Sequence, residues 1–192
     1  SIGLINITIT GASNVGSLVG YNDGNVSNSY STGDATGTSA VGILAGNNND
    51  GSISNSYSAG YAYGTSNVGG LVGYNNSATI SNCYSIGNVS GTSSVGGLAG
   101  YNNSGTIKNS YSSVNVNGTT DIGGLLGQNN SGTIEKSYWD TQSSGLSSGN
   151  NGTGLTSIKM KQSIQLSGFD FSTTWDIRED STYAALRSVN NV

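Results

Sequence analysis

The sequence predicts an all-β protein, a parallel β-solenoid of about five rungs of 26–27 residues closed by a small C-terminal cap, on three observations. First, an apolar residue followed by Gly recurs at Val15, Val41, Val68, Val95 and Ile122, at intervals of 26, 27, 27 and 27 residues. A fixed period of this length marks a stacked repeat. Second, every unit repeats the same columns. A Leu stands three places after each anchor, as Leu18, Leu44, Leu71, Leu98 and Leu125. An apolar position follows as Val26, Ile53, Ile80, Ile107 and Ile134, then a Tyr as Tyr30, Tyr57, Tyr84, Tyr111 and Tyr138. Third, the chain holds Gly 31 and Pro 0. Gly suits tight turns and close approach of rungs. Pro would delete a ladder donor in a strand paired on both sides.

Taken in order, residues 1–11 alternate Ile5, Ile7 and Ile9, and Ile9 is in phase with Ala35 and Val89. They read as the last strand of a partial rung. Residues 12–140 form the solenoid. Within each unit the apolar residues fall in three clusters bounded by Gly, Asn or Ser, too short for helices, so three strands and three turns per rung are expected. Neighbouring rungs pair in parallel about 4.8 Å apart, so like residues stack on like. Two Asn columns, Asn22, Asn48, Asn75, Asn102, Asn129 and Asn28, Asn55, Asn82, Asn109, are expected to bond amide to amide along the axis; Lys136 breaks the second. One rung alone cannot bury enough apolar surface to order its backbone, so several copies and closed ends are required. Analogy with other β-solenoids makes the expected coil right-handed.

From Glu135 onward the composition changes. Only Asp23, Asp34, Asp50, Asp121 and Lys108 are charged before it, while both Trp and both Phe lie beyond it. Residues 141–192 read as the cap: a loop at SSGNNGTG, a short helix at TSIKMKQSI, then strands at FDF and WDI. Their aromatics are expected to cover the last rung, with charges facing water.

The repeat resembles the GLUG motif family of bacterial surface and secreted proteins. The motif is spelled by Gly70-Leu71-Val72-Gly73, Gly97-Leu98-Ala99-Gly100 and Gly124-Leu125-Leu126-Gly127. In two earlier copies Ser17 and Ile43 replace the first Gly. The resemblance covers roughly residues 9 to 140. It implies a parallel β-solenoid in an extracellular protein. The family occurs in large adhesins of the filamentous-haemagglutinin type and beside peptidase domains that cut immunoglobulin A. It carries over no catalytic residue. The YWDT and GLTSIKMK stretches with the later Trp are similar to a segment that often follows such repeats.

Several function classes recede on composition. The net charge is −4 with 6 basic residues and no basic cluster, so nucleic-acid binding is not expected. There is no His, which removes imidazole triads and His-based zinc sites. The single Cys83 stands where other copies have Ser29, Ser56, Ser110 and Ser137, and reads as a small side chain replacing a small one. No apolar run is long enough to cross a membrane as a helix, and no cofactor is expected. Asp23-Gly24 and Asp50-Gly51 sit in equivalent turns. They read as turn chemistry, with a calcium site as the sharper alternative. Asp34 and Asp121 lie in different columns, so no glycosidase-like carboxylate pair is expected. Tyr21, Tyr74 and Tyr101 share a column with Asn47 and Gln128, which reads as an exposed row able to meet sugars or a partner. The expected role is a structural or adhesive module of a bacterial secreted or cell-surface protein: stalk, spacer or fibre unit. The alternative is a carbohydrate-binding module using that Tyr row, and an enzyme ranks last. Expected partners are a host surface, a glycan, a matrix protein or a second copy end to end.

Overall fold

The computed structural model describes residues 1–149 and 151–189. Asn150 of the expected loop and residues 190–192 of the expected cap lie outside the described residues. The repeat folds as a parallel β-solenoid of five rungs. Each of the middle rungs contributes one strand to each of four sheets. Rung two supplies Ser39–Gly42, Ala45–Asn49, Ser52–Ser54 and Tyr57–Tyr63. These are called the anchor, asparagine, isoleucine and tyrosine strands. Three sheets have five strands; the tyrosine sheet has seven.

Equivalent residues pair in register, with Val68 between Val41 and Val95, Ile80 between Ile53 and Ile107, and Tyr84 between Tyr57 and Tyr111. The Leu column stacks as expected. Leu44, Leu71, Leu98 and Leu125 are fully buried. The N–H groups of Leu44, Leu71 and Leu98 donate to the carbonyl of the next Leu at 3.1, 2.9 and 2.7 Å. Ser39–Gly42 and its equivalents turn Val inward against Ala35, Ala62 and Val89 of the tyrosine sheet, while Leu and Ile fill the other half of the core.

A rung has four strands, not the three expected. The apolar run from Val68 to Val72 breaks at Gly70 and Leu71, which bend the chain between Ser66–Gly69 and Val72–Asn76. An apolar run carries no sign of that corner, because residues on both sides of it face the same core.

The other corners are made by residues in the left-handed region. In rung three these are Ser77 and Asn82, with φ of 49° and 51°; Asn67, at 51°, kinks the strand Ser66–Gly69 from within. Asn enters this region more easily than most residues because its short amide can bond locally. The column Asn28, Asn55, Asn82, Asn109 is therefore a corner column, with φ of 48°, 47°, 51° and 48°, rather than the expected amide ladder. Lys136 continues the corner at φ 42°. Gly60 has φ 146°, and a Cβ there would lie 1.9 Å from the Gly33 carbonyl oxygen of the rung below. Gly33 and Gly87 hold the same column for the same reason.

Gly3–Thr10 pairs with Tyr30–Thr36 as the expected partial rung, with Ile9 opposite Ala35. The alternation is broken by a register shift between Leu4 and Ile7, where Asn6 has φ 55°, and Ile5 is left exposed.

The C-terminal segment departs from the expected cap in two ways. Only its first part covers the end of the coil: Trp139 and Leu146 pack on the core. Tyr138–Asp140 and Thr153–Leu155 add the last two strands of the tyrosine sheet. The remainder runs back along the flank, over the outer side of the Tyr column. Phe169 lies 5.8 Å from Tyr138 and 6.3 Å from Tyr111, and Trp175 lies 6.0 Å from both Tyr111 and Tyr84. The Tyr111 hydroxyl donates to the Ala184 carbonyl at 2.6 Å. Val189 reaches the neighbourhood of Tyr30 and Ile2. The reason is physical. Strand alternation turns these five phenol rings away from the coil, and an uncovered aromatic strip of that length is a liability in water.

Local assignments in this segment change as well. The expected helix at TSIKMKQSI is two short 3-10 turns, Lys159–Lys161 and Ser163–Gln165, while an unanticipated helical turn spans Thr141–Ser144. FDF is a turn rather than a strand, because the Asp170 carboxylate accepts from the N–H of Ser172 at 2.9 Å and of Thr173 at 3.2 Å. Of WDI, Trp175–Asp176 is a strand, antiparallel to Ala185–Leu186.

Candidate functional site

The asparagine sheet brings the sequence-marked residues together. Along its strands Asn75 faces in between Tyr74 and Asn76, which face out, while Val72, before Gly73, is also buried. The inward column is the expected ladder. The Nδ2 groups of Asn22, Asn48, Asn75 and Asn102 donate to the Oδ1 of the next Asn at 2.7, 2.8, 2.8 and 2.9 Å. Asn48, Asn75 and Asn102 are wholly buried. The second N–H of Asn75 and of Asn102 closes its own turn, donating to the Ala78 and Gly105 carbonyls at 3.0 Å each.

A second ladder, on the outer side, is not anticipated by the sequence reading. Asn130, Asn103, Asn76 and Asn49 donate down the coil at 2.7, 2.7, 2.7 and 3.0 Å, and the run ends on the Asp23 carboxylate. It runs opposite to the inner ladder and terminates on a group that only accepts. Its signal is the last Asn of the NNN, YNN and QNN runs, masked by the column beside it.

Tyr21, Tyr74 and Tyr101 do stand in one row, interleaved with Asn47 and Gln128. Tyr21 is exposed and the other two are half-buried. Tyr74 and Tyr101 stack with centroids 5.2 Å apart and planes 6° from parallel. Each therefore covers one ring face of the other. The phenol of Tyr74 is pushed above its usual range by burial and by Tyr101 beside it.

Asp23 and Asp50 are also brought together. Asn49 Nδ2 lies between them, 3.0 Å from Asp23 Oδ1 and 3.2 Å from Asp50 Oδ2. An amide donor thus occupies the position that the calcium reading needs for a cation. Among the described residues no three Asp, Glu, Cys or His side chains converge as a metal site would require.

Two buried groups have structural partners. Burial pushes the Cys83 thiol up to about 12, with backbone hydrogen bonds involving Ser56 and Ser81 opposing it weakly. Asp140 caps the turn at Thr141–Ser144 and accepts from the hydroxyls of Ser143, Ser157 and Tyr183. Burial pushes its carboxyl up, but these hydrogen bonds hold it below the usual carboxylate range. It joins the last rung to the flanking segment.

A coil of equivalent rungs held by continuous side-chain ladders is a β-solenoid repeat module. The pattern of the GLUG motif family matches three of its rungs, at residues 11–36, 64–90 and 91–117. The fold is shared with a crystal structure described as a "putative immunoglobulin A1 protease from Bacteroides ovatus". The two superpose with a TM-score of 0.64 at 15% identity, over 98% of this chain and 76% of the other. No curated protein matches the sequence.

Proposed function

We propose that this chain is a structural or adhesive module of a bacterial secreted or cell-surface protein, acting as a stiff spacer. The observation that carries the reading is the unbroken inner Asn ladder, which ties five rungs into one column from Asn22 to Asn129. Nearly all the backbone hydrogen bonds of such a rod run along its axis, so bending it means breaking them. Each rung adds about 4.8 Å of length. A spacer fits better than a self-assembling fibre unit, because Trp139 and Leu146 occupy the end on which a following copy would stack. The reading is non-enzymatic: Asp34 and Asp121 stand apart in different columns, and the buried Asp140 is committed to capping and tethering.

Antibody labelling of intact producing cells and of their culture medium tests the extracellular role. The proposal expects signal on the surface or in the medium; signal confined to the cytoplasm contradicts it. Turnover of a peptide or polysaccharide by the purified chain would contradict the non-enzymatic reading.

A further inference from the structure

In a repeat array, columns required by the fold keep their residue type from rung to rung. Tyr61 and Tyr63 break theirs. The column of Tyr61 otherwise holds Thr8, Asp34, Asn88 and Asn115, and that of Tyr63 holds Thr10, Thr36, Ser90 and Asn117. Rung two alone places aromatics there, on the outer side of the tyrosine sheet beyond the flanking segment. They are 36% and 49% exposed, where the neighbouring rungs use small polar side chains. Nothing in the core needs them.

We propose that Tyr61 and Tyr63 form a platform that binds an uncharged glycan. Their rings are within 18° of parallel, with centroids 6.3 Å apart. They stack on each other, so each covers one ring face of its neighbour; among the described residues neither stacks on an aromatic of an adjacent rung, and both remain exposed. Sugar rings present C–H faces that pack on phenol rings, and hydroxyls that need hydrogen-bonding partners at the rim. Tyr supplies a large, rigid, amphipathic surface at low entropic cost. The rim is supplied by the register neighbours, Asp34 and Asn88 beside Tyr61 and Thr36 and Ser90 beside Tyr63. Asp34 and Asn88 are exposed. No Lys or Arg stands in either column, and Asp34 repels anions, which selects against sulfated or sialylated chains. The site is independent of the spacer reading, which survives if no glycan binds.

The test is a glycan array carrying neutral, sialylated and sulfated oligosaccharides, followed by calorimetric titration of the strongest neutral hit. Tyr61→Asn/Tyr63→Ser installs the pair that rung three already carries at Asn88 and Ser90, so the fold is preserved and the melting curve should not move. The expected result is binding of a neutral glycan by the wild-type chain and at least about a tenfold loss in that variant. Tyr74→Asn/Tyr101→Gln, which copies the Asn47 and Gln128 of the same column, should bind within about threefold of wild type, within the range of peripheral contacts. Failure to bind any neutral glycan, or preference for anionic ones, would overturn the proposal. So would loss that follows the Tyr74 and Tyr101 variant instead, or capture of a protein ligand alone.

Discussion

Replacing Asn75 by Ala probes the inner ladder at its centre. The change removes the donor bonds to Asn102 Oδ1 at 2.8 Å and to the Ala78 carbonyl at 3.0 Å, and the acceptor for Asn48 Nδ2 at 2.8 Å. Asn48, Asn75 and Asn102 are fully buried, so water cannot readily replace what is lost. A buried polar group stripped of its partner costs about 1–3 kcal/mol; Asn102 Oδ1 and one N–H of Asn48 are stripped here, while the Ala78 carbonyl keeps the Thr106 N–H, giving a loss of about 2–6 kcal/mol. The outer ladder supplies the control. Asn76→Ala also removes two amide bonds, each 2.7 Å, but at a half-buried site where water can substitute, so about 1 kcal/mol is expected. Urea denaturation followed by circular dichroism measures both. If Asn75→Ala costs no more than Asn76→Ala, burial does not control the ladder's worth and the reasoning fails.

Gly60→Ala places a Cβ 1.9 Å from the Gly33 carbonyl oxygen at a φ of 146°, and should destabilise by more than about 3 kcal/mol in the same assay. A stable, unchanged variant would show that the column can shift. Cys83, buried and with its thiol pushed up to about 12, should not react with a thiol reagent at pH 8 until denaturant opens the coil; rapid native labelling would contradict its placement. The carboxyls of Asp140 and Asp170 are both lowered, Asp170 to about 2 by the hydroxyls and N–H groups of Ser172 and Thr173. Groups lowered in the folded state contribute stability above the ordinary carboxylate range and lose it as pH falls through the folded value. The flanking segment should therefore loosen as pH drops from about 4 towards 2. Trp175 fluorescence should report this before the solenoid's circular dichroism changes, and simultaneous loss of both signals would contradict a separable segment.

The columns were legible because stacking forces like onto like. Leu71 must resemble Leu44 and Leu98, and a fixed period exposes that constraint without a structure. What was not legible had no period or shared one with a stronger neighbour. The corner at Gly70 and Leu71 is hidden inside one apolar run. The outer Asn76 ladder is in phase with the inner Asn75 ladder one residue away. The flanking segment has no repeat, and nothing in the order of Phe169, Trp175 and Leu186 says whether they cover the end of the coil or its side. Tyr61 and Tyr63 escape notice for the opposite reason: they occur once, and a search for recurrence discards single events.

The central claim is that equivalent residues lie above one another along a single axis. Spin labels at Ala12 and Thr119, exposed positions of one column four rungs apart, measure it directly. Stacking at about 4.8 Å per rung predicts a backbone separation of roughly 19 Å, growing evenly through the Ala12–Thr65 and Ala12–Thr92 pairs. Distances that do not increase in equal steps from pair to pair would contradict it.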